Sequence, residues 1–190
     1  MPEAFPPASI DLTALLRRWQ EGDTDARERL MGLVYDRVRA IAAQSLQRQD
    51  GSTLTPTELA HEALMRLLGA EANWVDRRHF FHVVAQATRQ VLVDRARKRL
   101  SEKRGAGAEA LPLSQAEGVG RADRDEDLVR VDEALSELGA NDPRQARIIE
   151  MTYFGGFARE EIAEALELSV STVDRDLRFA RAWLKVALSA

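Results

Sequence analysis

Few residue clusters in this chain have the types and spacing for bond-making chemistry, and each fails on a specific count. His61-Glu62 is not followed by a second histidine four residues on, so the zinc helix of a metalloprotease is absent. His79 and His82 lie one helical turn apart, but no carboxylate is placed as a third ligand, and they read as ordinary, partly buried histidines. Asp123-Arg-Asp-Glu-Asp127 lacks the glycine and the closing glutamate of a calcium loop and reads as a solvated helix start. There is no glycine-rich phosphate loop, no nucleophile beside a base, and no cysteine to ligate a metal or form a disulfide. The reading is therefore not an enzyme, with no catalytic residue, metal or cofactor expected.

Recognition is the chemistry that the residues do support. The stretch 159–178 reads as two short amphipathic helices joined by a three-residue turn, a helix-turn-helix. Ser169 is the expected cap of the second helix. Val173, Leu177, Ala180 and Leu184 recur at spacings of three and four and face inward. That leaves Ser171, Thr172, Arg175 and Arg178 outward near the N-terminal end, where a recognition helix meets base edges in a DNA major groove. Arg181 and Lys185 lie farther along, at phosphate-reaching distance. The competing reading, an αα-hairpin with a solvated arginine face, does not account for cap, turn length and arginine placement together. Asp174 and Asp176 oppose phosphate binding unless neighbouring arginines hold them or they accept from a cytosine amine.

The other elements are helical too. Leu12, Leu15, Leu16 and Trp19 follow a Ser9 cap and share one face, ending near Gly22. Asp23 caps a longer helix with Ala26, Leu30, Leu33, Val34, Val38, Ile41 and Ala42 at helical spacing. After a loop over 47–53, Thr55-Pro-Thr-Glu58 is a helix start: threonine as cap, proline at the first position, glutamate three residues after the cap. Its buried stripe is Leu59, Ala60, Ala63, Leu64, Leu67 and Leu68. A polar link, 70–76, precedes a helix expected from Arg77 to about Lys103, with Phe80, Val84, Ala87, Val91 and Leu92 inward. Residues 105–120, rich in Gly and Ala with one Pro, read as a flexible tether. Beyond it come an acid-led helix with Leu128, Val131, Leu135 and Leu138, then one opened by Asp142-Pro-Arg-Gln145 with Ile148, Ile149 and Tyr153. The expectation is an all-α protein of two small helical domains, 1–104 and 125–190, on a linker, 105–124.

Charge divides along that boundary. Residues 1–104 hold 17 Lys/Arg against 14 Asp/Glu, whereas 105–190 hold 10 against 17. Such an acidic second half gives little sequence-independent attraction to phosphates, so DNA affinity alone is expected to be weak, with a larger partner supplying most of the hold. The basic stretch 89–104, with seven Lys/Arg and two acids, is read equally well as a nucleic-acid groove or as a charged, exposed face. No run approaches the roughly 18 apolar residues of a membrane span, and the first residues lack an export signal, so a soluble, cytoplasmic protein is expected.

Both halves together resemble a bacterial sigma-70-family sigma factor of the extracytoplasmic-function (ECF) type. Ala134-Leu-Ser-Glu-Leu138, Tyr153-Phe-Gly-Gly-Phe157, Glu161-Ile-Ala163 and Ser169-Val-Ser-Thr-Val173 are similar to the domain that reads the promoter −35 element. Leu15-Leu-Arg-Arg-Trp-Gln-Glu-Gly-Asp23, Leu59-Ala-His-Glu-Ala-Leu-Met-Arg-Leu67, then Arg89, Val93-Asp94 and Arg97 are similar to the domain that binds core RNA polymerase and the −10 element. The resemblance implies docking on the β′ clamp through Glu58, His61, Glu62, Met65 and Arg66, with the β flap and promoter DNA as further partners. It implies −10 recognition and strand separation by Asn73, Trp74, Arg77, Arg78, His79, Arg89 and Arg97. It also implies −35 recognition by Ser171, Thr172, Arg175, Arg178 and Arg181.

Two departures stand out. The family's acidic run before the clamp helix is replaced by Thr55-Pro-Thr-Glu58, as in a subgroup switched on by a Ser/Thr kinase, which makes Thr57, then Thr55, the phosphorylation candidates. A phosphate there adds nearly two negative charges at a helix N-terminus, where the dipole favours them. A tryptophan common in the family is Val83 here. The alternatives are a free-standing helix-turn-helix regulator, which predicts a sensory domain upstream that 1–104 does not resemble, and an all-α adaptor or kinase substrate without a DNA role.

Overall fold

The computed structural model describes residues 12–46, 55–69, 77–105 and 119–189. Among them the chain is all-helical, with eight helices: α1 (Leu12–Gln20), α2 (Thr24–Leu46), α3 (Pro56–Gly69), α4 (Arg77–Gly105), α5 (Val119–Asn141), α6 (Pro143–Tyr153), α7 (Arg159–Leu166) and α8 (Val170–Ala187). The expected Ser9 cap, the loop over 47–53, the link 70–76 and most of the tether lie outside the described residues.

Capping fixes where several helices begin. Asp23 Oδ1 accepts from the Ala26 amide at 3.0 Å, and Asp142 Oδ1 does the same for Gln145 at 3.0 Å, just ahead of Pro143. At α3 the box is reciprocal. Thr55 Oγ1 accepts from the Glu58 amide at 3.2 Å, and Glu58 Oε2 accepts from the Thr55 amide at 2.7 Å and from its hydroxyl at 3.1 Å. α5 differs from expectation: it starts at Val119, ahead of the acidic run, so Gly120 lies inside the helix.

α2 packs against α1 and α3, and α3 against α4. α4 then meets α5, α6 and α7, while α8 closes over α5, α6 and α7. Most of the stripes read from helical spacing are inside: Ala26, Leu30, Val34, Val38, Ile41 and Ala42 of α2, and Leu59, Ala60, Ala63 and Leu67 of α3, with Leu33 and Leu64 half-buried and the Leu68 side chain outside what is described. Val84, Ala87, Val91 and Leu92 of α4 line the seam with α2 and α3. Beyond that stripe, α4 also buries Phe81, Ala85, Val93, Ala96 and Leu100. One apolar core consequently runs from Leu15 to Ala180, drawing on all eight helices.

Phe81 is the hinge point of that continuity. Its ring stacks on Phe157 at 4.0 Å between centroids. Phe157 is delivered by the Gly155-Gly156 turn after α6. Gly156 has φ +63, where a side chain is strained, and a Cβ on Gly155 would sit 2.4 Å from the Phe157 ring, a clash.

Candidate functional site

α7 and α8 form the expected helix-turn-helix, with the turn 167–169 between them. Ala158, ahead of α7, has no acceptor side chain, and Glu161 Oε2 takes its amide instead at 2.8 Å. α7 ends on Glu167 at φ 56, a left-handed residue that is not glycine. Leu168 N–H then returns to the Ala163 carbonyl at 2.8 Å, closing the Schellman-type stop. Ser169 Oγ caps α8 through the Thr172 amide at 3.1 Å.

With its start fixed, α8 turns Val173, Leu177 and Ala180 into the core, with Leu184 half-buried. Ser171, Arg175, Arg178, Arg181 and Lys185 are exposed and Thr172 is half-buried, as the spacing predicts. The two acids are both held. Arg159 Nη1 reaches Asp174 Oδ1 at 2.9 Å. Asp176 is 2 % exposed, with Arg144 Nε 2.8 Å from its Oδ2. That contact is a charge pairing rather than an aligned hydrogen bond, because Oδ2 has no properly oriented donor. Tyr153 stands half-exposed at the end of α6 with the Arg181 guanidinium 5.5 Å from its ring centre, so it is not the core residue its spacing suggested.

A second face lies on α3. Glu58, His61 and Met65 are exposed, and Glu62 and Arg66 are half-buried. Arg66 bridges Glu62 at 3.1 Å and Asp94 at 2.8 Å, and Arg95 Nε donates to Glu62 at 2.9 Å. His61 meets the Tyr35 ring edge-on. The Thr55 amide, then its hydroxyl, hold the Glu58 carboxyl below the usual glutamate range. Thr57 is exposed at the second helical position.

The basic stretch of α4 departs furthest from expectation. Arg89 is not on an exposed face: Nε donates to Asp132 Oδ1 at 2.8 Å, Nη2 to Ser136 Oγ at 2.9 Å, and Nη1 to Glu150. Arg97 reaches the other Asp132 oxygen at 2.8 Å. Arg99 pairs with both oxygens of Asp125 (Nε–Oδ2 2.8 Å), and Asp125 is 1 % exposed, so this acid does not belong to a solvated helix start. Arg78 lies against the end of α7, near the Ala165 carbonyl and Glu167. His79 is exposed, and Val83, at the position of the family's tryptophan, is half-buried against the core. Asn73, Trp74 and the Arg77 side chain lie outside the described residues. From α2, Arg37 forms a two-pronged pair with Glu161 at 3.1 and 2.9 Å.

Sequence reasoning missed these acceptors, Asp125, Asp132, Glu150 and Glu161. The available signal was the division of charge between the two halves. His82 sits at the same seam, its Nδ1 3.6 Å from Glu150 Oε2. Burial, against the pull of Glu150 and aided by Arg147 and His79, lowers its pKa.

Among the described residues no group of His, Asp and Glu is arranged to hold a metal ion, and no helix is long and apolar enough to cross a membrane. A family model described as ECF sigma factor matches residues 9–190. No curated protein and no solved structure matches the chain.

Proposed function

Because the chain belongs to the ECF sigma factor family, we propose that it docks on core RNA polymerase and selects promoters through two separate reading units, 1–104 and 125–190, joined by 105–124. The observation that carries this reading is the Ser169-capped α8, whose outward Ser171, Thr172, Arg175 and Arg178 stand on a helix anchored by Val173, Leu177 and Ala180. That first turn enters the major groove of the −35 element, and Arg181 reaches phosphate. Asp174 and Asp176 do not oppose it, since Arg159 and Arg144 neutralise them.

α3 is the polymerase-facing helix, presenting Glu58, His61, Glu62, Met65 and Arg66 to the β′ clamp; the −35-reading unit meets the β flap. Asn73, Trp74, Arg77, Arg78, His79, Arg89 and Arg97 handle the −10 element and the separated strand, with Trp74 available to stack on a base. This division of labour suits the acidic net charge of −4: the polymerase supplies most of the affinity and the chain supplies sequence choice.

A Ser/Thr kinase acts on the start of α3. Thr57 suits modification better than Thr55, whose hydroxyl both donates and accepts in the capping box, so that a phosphate there would break the box it sits in. A phosphate on Thr57 adds charge at a helix N-terminus already favourable to anions.

In vitro transcription with core polymerase over a promoter library, before and after kinase treatment, tests the whole reading. Promoter-selective initiation is expected, rising on phosphorylation and not rising in Thr57→Ala. Arg175→Ala is expected to lose roughly 1–3 kcal/mol of promoter binding and to relax preference at one −35 position. A chain that never associates with core polymerase in either state removes the proposal.

A further inference from the structure

The outward face of α8 carries one large side chain without a polar atom. At about 3.6 residues a turn, Val173, Leu177 and Ala180 point inward and Arg175 points the opposite way. One turn beyond Arg175, Arg178 and Phe179 stand on either side of its line. Phe179 is 61 % exposed, among the most open large apolar side chains of the described residues. Its surroundings are basic. Arg175 lies one turn before it and Arg178 beside it. Arg144 of α6 comes to the same flank by pairing at 2.8 Å with Asp176, which precedes Phe179 by one turn. Arg178 Nε donates to the Asp174 carbonyl at 3.4 Å, which lays that side chain back toward the start of the helix. A protein surface apolar enough to cover the ring would have to desolvate these arginines as well. DNA meets both, because phosphates along the groove walls take the cations and the groove floor takes the ring.

We propose that Phe179 is a specificity-determining residue of the −35 contact, its ring packing on the C5 methyl of one thymine in the major groove. The proposal rests on the reading of α8 as the −35 helix and names a base that the polar side chains leave unassigned. With Arg175 on a base edge, α8 cannot keep Phe179 out of the groove, because it lies about 6 Å farther along on the same face. Every base pair lines the groove floor with donors and acceptors, and the one methyl there is thymine's. A phenyl ring over any other base edge strips water from a polar group and returns no hydrogen bond. The ring therefore acts twice, attracting thymine and penalising its replacements. Arg175 and Arg178 cannot draw that distinction, since a guanidinium reads acceptor atoms and is blind to the methyl.

Removing the methyl from the DNA tests this without touching the protein. Holoenzyme assembled from core polymerase and the full chain is bound to its preferred library promoter, with each −35 thymine on either strand replaced in turn by deoxyuridine. At one position the change is expected to weaken binding in competition about fourfold, the worth of one buried hydrocarbon group. Phe179→Ala, at an exposed helical position that alanine suits, is expected to bind the thymine promoter about as weakly as the parent binds the uracil one. It should also be indifferent to the methyl, whereas Phe179→Leu should keep part of the discrimination. Indifference of the parent to uracil at every −35 position, or a preferred element without thymine, overturns the proposal and leaves the −35 reading standing. So does a loss in Phe179→Ala that is equal on thymine and uracil templates, or one that falls on core-polymerase binding, which would give the ring a protein partner. A scrambled −35 element bound as well as the intact one overturns the −35 reading itself, and the methyl contact with it.

Discussion

Along one side of α4, Val84, Ala87, Val91 and Leu92 share an apolar seam with Val34, Val38, Ala63 and Leu67 of α2 and α3, edged by the Arg66–Asp94 and Arg95–Glu62 pairs. Along the other, apolar packing such as Phe81 on Phe157 is joined by the pairs of Arg89, Arg97 and Arg99 with Asp132, Glu150 and Asp125. The two seams differ in what happens when they separate. Opening the first mainly exposes hydrocarbon to water, at about 25 cal/mol for each Å². Opening the second exposes hydrocarbon too, but it also returns buried charges to water, and the solvation regained offsets part of the lost attraction. Per unit of area, a seam with hydrocarbon at its centre is costlier to part than one whose closure also leans on ion pairs.

The largest expected effect breaks the apolar seam. Leu67→Ala, at a side chain 1 % exposed, should cost about 2–5 kcal/mol in urea unfolding followed by circular dichroism. Equal loss of α3 helicity and of the α4 signal would mark them as one cooperative unit.

Arg89→Ala attacks the charged seam. It would strand Glu150 in a buried position at roughly 3 kcal/mol, which should loosen α6 from α4. Small-angle scattering should show a larger radius of gyration, and hydrogen exchange should quicken in α6 while α3 stays protected. Global unfolding in place of opening would erase the contrast between the seams.

Thr55→Ala removes the α3 cap at about 1 kcal/mol and should leave the charged seam untouched. The Glu58 half of that box is acid-sensitive. A carboxyl held below its ordinary range stabilises the fold above its unfolded pKa, and that contribution is lost as pH falls through the lowered folded value. A pH titration of stability should therefore show a small acid-side step that Glu58→Gln abolishes.

The smallest effect belongs to His82, faced by Glu150 and Arg147 of α6 and by His79 of α4. Burial lowers its folded pKa, so the unfolded chain binds the proton more readily. Stability of the fold should fall as pH drops below the ordinary histidine value of 6.5, levelling off below the folded value. His82→Gln should flatten that slope.

Much of the fold was legible from spacing. The stripes of α2, α3 and α8 and the caps Asp23, Thr55, Asp142 and Ser169 needed only helical period and hydrogen-bonding chemistry, and they hold in the structure. α4 was half legible. Its Val84–Leu92 stripe follows the period, but Phe81, Ala85 and Ala96 fall outside it, and a helix buried on two sides leaves no single stripe to read. Arg89 and Arg99 were undecided for a different reason. An arginine on a helix has the same sequence pattern whether water or a distant carboxylate receives it. The outward face of α8, by contrast, was fixed by its inward one.

Local chemistry, then, settled what each segment becomes: where a helix starts, which way it faces, and that the second half carries the acids. Which arginine meets which acid was settled only by folding, because pairs such as Arg37–Glu161 and Arg89–Glu150 join residues 124 and 61 positions apart. Coulomb attraction has no period along a chain. It acts only once packing has brought the two helices within reach.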